Sequence, residues 1–316
     1  MAETGRDRTW LVALATAMWG TDALWRMPLA TTLPAGSVVF WEHLIIVLLL
    51  SPFLVRAWRA FAACDLRERM AVLVIGGGSS ALATALFTAA FQAGDPVTPL
   101  VLQKLQPIFA ALASLVLLGE RIRGRYFAFA VPALIGAWML AFPEPLDIRV
   151  SQVKPALLAV GAAVLWAAGT VLGRMLSRRM STMEVTTLRF SVGLPTAAVI
   201  LLAKGDPITV GWGNLPGLLL LALIPGLIAL SLYYLGLQTT PAARATLAEL
   251  SFPATAAIIG VGVLGEDLTA TQWIGFLLVV AMVAGMSWHE RTTRSKMVTA
   301  PPVSPRPAEH TITRSL

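Results

Sequence analysis

Ten stretches of mostly apolar residues, each near the length of a membrane crossing, constrain this chain more than any other feature. They fall at 10–30, 38–55, 71–91, 97–118, 126–142, 154–173, 184–203, 214–236, 243–264 and 271–289, separated by polar residues, Gly or Pro. A bilayer core of about 30 Å is crossed by roughly 20 helical residues. Strands would cross only as alternating segments of a closed barrel, and the run LLLLALIPGLIAL at 218–230 does not alternate. A soluble fold fails on surface chemistry: with 57% AVILMFWYC and 13% charged residues, 316 residues cannot cover themselves with polar groups. The expected class is therefore an all-α integral membrane protein with ten transmembrane helices.

The first run follows Arg6 and Arg8 as a signal peptide would, but Glu3 and Asp7 dilute the charge and the apolar run is too long, so a retained first helix is expected. The segment 290–316 turns to Arg, Thr, Ser and Pro and is expected to be a disordered cytoplasmic tail. With the N-terminus inside, eighteen of the 24 Lys and Arg residues lie on the cytoplasmic side and only Arg149, Lys154 and Lys204 outside. The positive-inside rule thus places both termini in the cytoplasm. The net charge of +7 is spread between spans rather than gathered on one face, which argues against a nucleic-acid partner.

Several chemistries lack their residues. Cys64 is the single cysteine, and His43, His289 and His310 are scattered, so neither a disulfide nor a metal site is expected. No GxxxxGK[ST], GxSxG or HExxH pattern occurs, which disfavours ATP-driven pumping, hydrolysis and any cofactor requirement.

The two halves repeat. At an offset of 146, Gln92 falls on Gln238, Pro107 on Pro253, and Gly119-Glu120 on Gly265-Glu266; at 147, Trp19 falls on Trp166 and Glu42 on Arg189. Five spans per half is an odd number, so the second copy enters the membrane from the opposite side, an inverted-topology repeat. The expected division is a cytoplasmic segment 1–9, a first repeat 10–142, an outer linker 143–153, a second repeat 154–289 and the tail 290–316.

Trp19-Gly20, the stretch LQKLQPIFAALASLVLLGERI at 102–122 and its partner AELSFPATAAIIGVGVLGEDL at 248–268 resemble the drug/metabolite transporter superfamily, in its EamA-type ten-helix bacterial members. The resemblance covers about residues 10–289; such proteins often carry Arg where this chain has Glu42 and Arg189, and it keeps Arg only in the second half. The resemblance implies a multi-pass protein of the bacterial inner membrane that exports a small metabolite. Read together with the repeat, this predicts a secondary transporter of a small metabolite or amino-acid-like solute working by alternating access between the two inverted repeats, with lipid as its surroundings and a proton or other ion as a possible partner. The alternatives are an intramembrane lipid-modifying transferase, with Asp22, Glu42 and His43 as acid or base groups, and a channel or scaffold.

Ionisable residues inside spans are costly and usually face protein or water. Asp22 and Arg26 lie one turn apart, as a structural ion pair or as part of a pathway. Glu42 and Arg189 either snorkel to the interfaces or line the same pathway. His43 opens the second span, Lys104 lies about six residues into the fourth, roughly 9 Å deep, and Glu249 lies as far in from the opposite face. Pro107 and Pro253 are expected to free the carbonyls of Gln103 and Glu249, marking a polar turn in each half, and Pro225 a kink in the eighth span. Trp19, Trp166 and Tyr233 are candidate stacking residues or plain packing.

Overall fold

The computed structural model describes residues 8–92, 102, 105–120, 124–142, 144, 146, 153–263 and 267–299. Among these the regular structure is helical throughout. Among the described residues four helices are long and apolar enough to cross a membrane, and a fifth crossing results if the bent pair Ala35–Leu49 and Ser51–Ala62, angled at 61°, counts as one. The remaining apolar segments are shorter or broken.

The breaks are informative. The first apolar run is two helices, α1 (Thr9–Trp19) and α2 (Asp22–Ala30), joined by a turn at Gly20-Thr21. The second is α3 (Ala35–Leu49), which bends at Ser51-Pro52 into α4 (Leu54–Ala62), because Pro52 cannot donate to the ladder of α3. The third starts with α5 (Leu66–Leu73) on a reciprocal Asp65–Glu68 capping box, widens into π-helix over Val74–Leu82 and ends as α6 (Ala83–Gln92). Next come α7 (Gln106–Leu118), α8 (Gly124–Ala141), α9 (Val153–Leu176) and α10 (Thr182–Lys204), the last opened by a Ser181–Glu184 capping box. The helix α7 closes on Gly119 at φ 64, a left-handed conformation that suits glycine.

The eighth run repeats the pattern of the third. Helix α11 (Leu215–Leu221) passes through π-helix at Ala222–Ala229 into α12 (Leu230–Leu237). The ninth run is broken where continuous helix was expected, into α13 (Ala242–Ala248) and α14 (Ser251–Gly262), with Glu249-Leu250 as the turn between them. Helix α15 (Ala270–Thr299) opens on a Thr269–Gln272 capping box. The described helix continues to Thr299, and no Pro or Gly interrupts it until Pro301. The rest of that tail, 300–316, lies outside the described residues.

Packing follows a fixed pattern. Helix α1 lies against α12, α14 and the π-segment at 222–229; α9 lies against α6, α7 and the π-segment at 74–82; α10 packs on α3, and α8 on α15. Polar links mark the two ends of the bundle. At one end Ser37 Oγ donates to the Pro207 carbonyl at 2.6 Å and Thr32 to Asn214 Oδ1 at 2.9 Å. At the other, Arg56 meets Glu184 and Arg179 meets Glu68, both at 2.8 Å, and Arg8 donates to Gln238 Oε1 at 3.1 Å. The core is built from alanines such as Ala159, Ala163 and Ala167, while Val116, Leu157, Val199 and Leu277 point outward. That arrangement suits lipid, where helices associate through close small-residue packing and large apolar side chains face the solvent.

Candidate functional site

Two broken helices, α1–α2 and α13–α14, bring polar groups into the middle of the bundle. Thr16 Oγ1 donates to the Ala248 carbonyl at 3.2 Å, which fixes the end of α13 against α1. The next residue, Glu249, is half-buried and accepts three hydrogen bonds: from Tyr233 Oη at 2.5 Å and Thr170 Oγ1 at 3.0 Å on Oε1, and from Gln106 Nε2 at 2.6 Å on Oε2. Thr170 Oγ1 and Tyr233 Oη are themselves 2.8 Å apart. Four separate elements thus converge on one carboxylate.

An aromatic pair lies beside this cage. Trp19 and Tyr233 have ring centroids 5.0 Å apart at 40°, and the indole N–H of Trp19 donates to the Pro225 carbonyl at 2.9 Å. Pro225 therefore sits in the π-helical stretch whose carbonyl anchors Trp19. Tyr234, buried next to Tyr233, accepts from Arg189 Nη1 at 3.1 Å, and the Arg189 Nε is buried without a hydrogen-bond partner. Trp166 lies apart from this group, edge-on to Phe87 at 5.1 Å.

A second cluster forms at the start of α2. Arg26 grips both carboxylate oxygens of Asp22, at 2.5 and 2.8 Å, and reaches Glu42 Oε2 on α3 at 3.2 Å. Glu42 thus belongs to a three-residue ionic cluster rather than to an interfacial belt. His43 does not join it. It is buried with Nδ1 against the Val39 carbonyl and Nε2 against Ser80 Oγ, both at 2.9 Å, and packs edge-on to Phe190. Its position is that of a packing residue.

The prolines need one correction. The Glu249 carbonyl is not left free by Pro253: it accepts from the Phe252 N–H at 3.0 Å, because the chain tightens into a turn before α14 begins. Pro107 stands in the first turn of α7, where its missing N–H costs nothing. Gln103 and Lys104 lie outside the described residues, as do Gly265 and Glu266. Glu120 ties loop structure. It accepts from the Ala242 N–H at 2.9 Å and pairs with Arg174 and Arg178, while Arg174 also donates to the carbonyls of Leu237 and Gln238.

Sequence reasoning missed Gln106 and Thr170, and weighed Tyr234 only beside Tyr233, as packing or a pathway hydroxyl. A signal existed for the two that were missed: Thr170 lies four residues after Trp166 on the same helix face, and Gln106 adjoins Pro107. Isolated Thr, Gln and Tyr residues are common in membrane spans, so only their convergence distinguishes them. Among the described residues no group of three His, Cys, Asp or Glu side chains converges to hold a metal ion.

Comparison with known proteins accords with this picture. Residues 9–142 and 153–288 match the EamA-like transporter family. The chain is 30% identical over 289 residues to the riboflavin transporter ImpX of Fusobacterium nucleatum, covering 88% of this chain and 96% of that protein. It is 28% identical over 198 residues to the uncharacterized transporter YwfM of Bacillus subtilis, covering 61% and 65% respectively. One solved crystal structure superposes with a TM-score of 0.70 at 22% identity, over 89% of this chain and 98% of that one, a likeness of fold.

Proposed function

The chain belongs to the EamA-like transporter family, and from that premise we propose that it is a secondary carrier moving a small amphipathic solute by alternating access between two inverted five-helix repeats. The observation that carries this reading is the cage around Glu249 beside the Trp19–Tyr233 pair, placed where two spans break. Irregular backbone and ionisable groups at membrane depth are tolerated where they line protein or a water-filled cavity, and broken helices that present polar groups at mid-membrane are the usual ground plan of solute sites in carriers.

Three findings support the inverted repeat with ten crossings. The π-segments Val74–Leu82 and Ala222–Ala229 stand at corresponding places in the two halves. The pair Trp19–Tyr233 has a counterpart in Trp166–Phe87, since Trp19 corresponds to Trp166 and Phe87 to Tyr233 at the offsets read from sequence. The packing of α1 on the second π-segment likewise corresponds to that of α9 on the first. The basic end of the bundle, with Arg8, Arg56, Arg174, Arg178 and Arg179, is the cytoplasmic face in this reading, and the inner membrane its location.

The aromatic pair with adjoining hydroxyl, amide and carboxylate groups suits a flat ring system carrying hydrogen-bonding substituents. Riboflavin, named for the Fusobacterium relative, is therefore the first solute to test, followed by amino acids, and export is the direction the family resemblance favours. Purified protein in liposomes preloaded with unlabelled solute is expected to take up labelled riboflavin, or one of the amino acids, faster than empty liposomes do, with saturation. Identical uptake with and without preloading for every solute would remove the carrier reading.

A further inference from the structure

Of the carboxylates in the middle of the bundle, Asp22 and Glu42 share a cation, Arg26. Glu249 has none among the described residues; its three partners, Tyr233, Thr170 and Gln106, are all neutral. The difference matters chemically. A guanidinium has donors only, so a carboxyl group that takes up a proton loses its ionic attraction to Arg26 and gains an O–H that Arg26 cannot accept. The partners of Glu249 serve both protonation states. The hydroxyls of Tyr233 and Thr170, 2.8 Å apart, each donate and accept, and either can supply the hydrogen between them. The amide of Gln106 donates to Oε2 through its nitrogen, and a half-turn about its last torsion presents its oxygen instead, an acceptor for a proton on the same Oε2.

We propose that Glu249 is the proton-binding site of this carrier, loading and releasing one proton on Oε2 within a cage of neutral groups that re-pairs around either form. The proton arrives from water, an O–H bond forms on Oε2, and no other bond changes. The cage joins α7 of the first half to α9, α12 and the α13–α14 turn of the second, so the proton changes the contacts across the proposed repeat boundary. Coupling of that proton to solute movement rests on the carrier reading above.

The groups facing Glu249 from each packed element are consistent with a single titrating site. Helix α12 presents Tyr233, followed by Tyr234, which holds Arg189; α8 presents the Tyr126 phenol, which Glu249 influences electrostatically; α7 and α9 present only the neutral Gln106 and Thr170. From α1 and α15 no described ionisable side chain reaches it. Arg174, further along α9, is taken up by Glu120 and the carbonyls of Leu237 and Gln238. The first repeat cannot do the same chemistry, because Gln103 and Phe87 stand where the second has Glu249 and Tyr233.

The test is an infrared pH titration of the full-length protein in lipid vesicles, which needs no solute. A protonated-carboxyl C=O band that grows as pH falls is expected in the wild type and lost in Glu249→Gln. Tyr233→Phe removes one donor to the carboxylate and is expected to ease protonation by about tenfold. Size-exclusion profiles identify folded variants. Coincident spectra of wild type and folded Glu249→Gln, or an unmoved titration in folded Tyr233→Phe, overturn the proposal. Riboflavin counterflow over the same pH range separates the two claims. Exchange that follows the band midpoint supports coupling, and exchange flat in pH while the band titrates overturns coupling. No exchange of riboflavin or of any of the amino acids by the wild type removes the carrier reading and coupling with it, while the band still decides whether Glu249 binds the proton.

Discussion

Trp19 stacks on Tyr233 at a centroid distance of 5.0 Å, and through the Tyr233 hydroxyl, 2.5 Å from Glu249, it is joined to a polar cage that spans four elements of the described bundle. The equivalent pair, Trp166 with Phe87 at 5.1 Å, lacks that hydroxyl. In the proposed repeat the two halves thus differ in chemistry at equivalent places, and the differences are where solute affinity should reside.

Replacing Trp19 by Ala removes the ring contact and the hydrogen bond to the Pro225 carbonyl. An aromatic contact of about 1 kcal/mol together with a hydrogen bond of similar size predicts a rise of about tenfold or more in half-saturating solute concentration. Trp166→Ala should change it far less. Counterflow kinetics on both variants at matched protein levels check the asymmetry; equal effects would place Trp19 among packing residues.

Removing Arg26 leaves Asp22 and Glu42 facing each other without a cation. Breaking a fully buried pair costs about 3–5 kcal/mol; Arg26 retains 35% side-chain exposure, so Arg26→Met should cost about 2 kcal/mol. Adding Glu42→Gln should recover part of the loss. Thermal unfolding of the two single variants and the double variant gives the coupling energy directly, and additive losses would show that Arg26 and Glu42 act independently.

The backbones of α8 and α15 touch at two glycines. A Cβ on Gly275 would lie 2.6 Å from the Gly136 carbonyl oxygen and 2.6 Å from the Leu140 nitrogen, and neither backbone atom can move without its helix. Gly275→Ala should therefore cost about 1–3 kcal/mol. Gly262→Ala, in α14 with open space around it, should be neutral or stabilising by about 0.5 kcal/mol. Thermal unfolding in detergent compares the two, and a reversed order would contradict the described α8–α15 contact.

Cys64 lies between α4 and α5, at the basic end of the bundle, with its thiol buried and held to the Ala60 carbonyl at 3.3 Å. Burial, and then the charge of Glu68, push its pKa above the ordinary thiol value. Since the thiolate is the reactive form, labelling should be slower at neutral pH than for a free cysteine and should accelerate about tenfold per pH unit until the raised pKa is passed. An impermeant maleimide should modify it in inside-out vesicles and spare it in intact cells. The opposite sidedness would invert the proposed orientation.

Much of the fold was legible in the run lengths, because lipid requires each crossing to satisfy its own backbone and so writes helices into the sequence as long apolar stretches. The breaks were less legible. Gly20-Thr21 and Glu249-Leu250 read as interior positions of continuous spans, and only packing makes them turns. His43 illustrates the same limit: the sequence offers an ionisable residue next to Glu42, yet successive helical positions point in different directions, and the ring goes to Ser80 while its neighbour goes to Arg26.

Taken alone, the sequence determined the helical membrane class and the family resemblance, and it supplied the grounds for the proposed repeat in Trp19 with Trp166 and Pro107 with Pro253, since each depends on composition or spacing along one chain. The tertiary structure alone decided that Gln106, Thr170, Tyr233 and Glu249 meet, although more than 140 positions separate the first from the last. Hydrogen bonds of about 3 Å depend on where helix faces point after packing, and no local pattern in the chain encodes that distance.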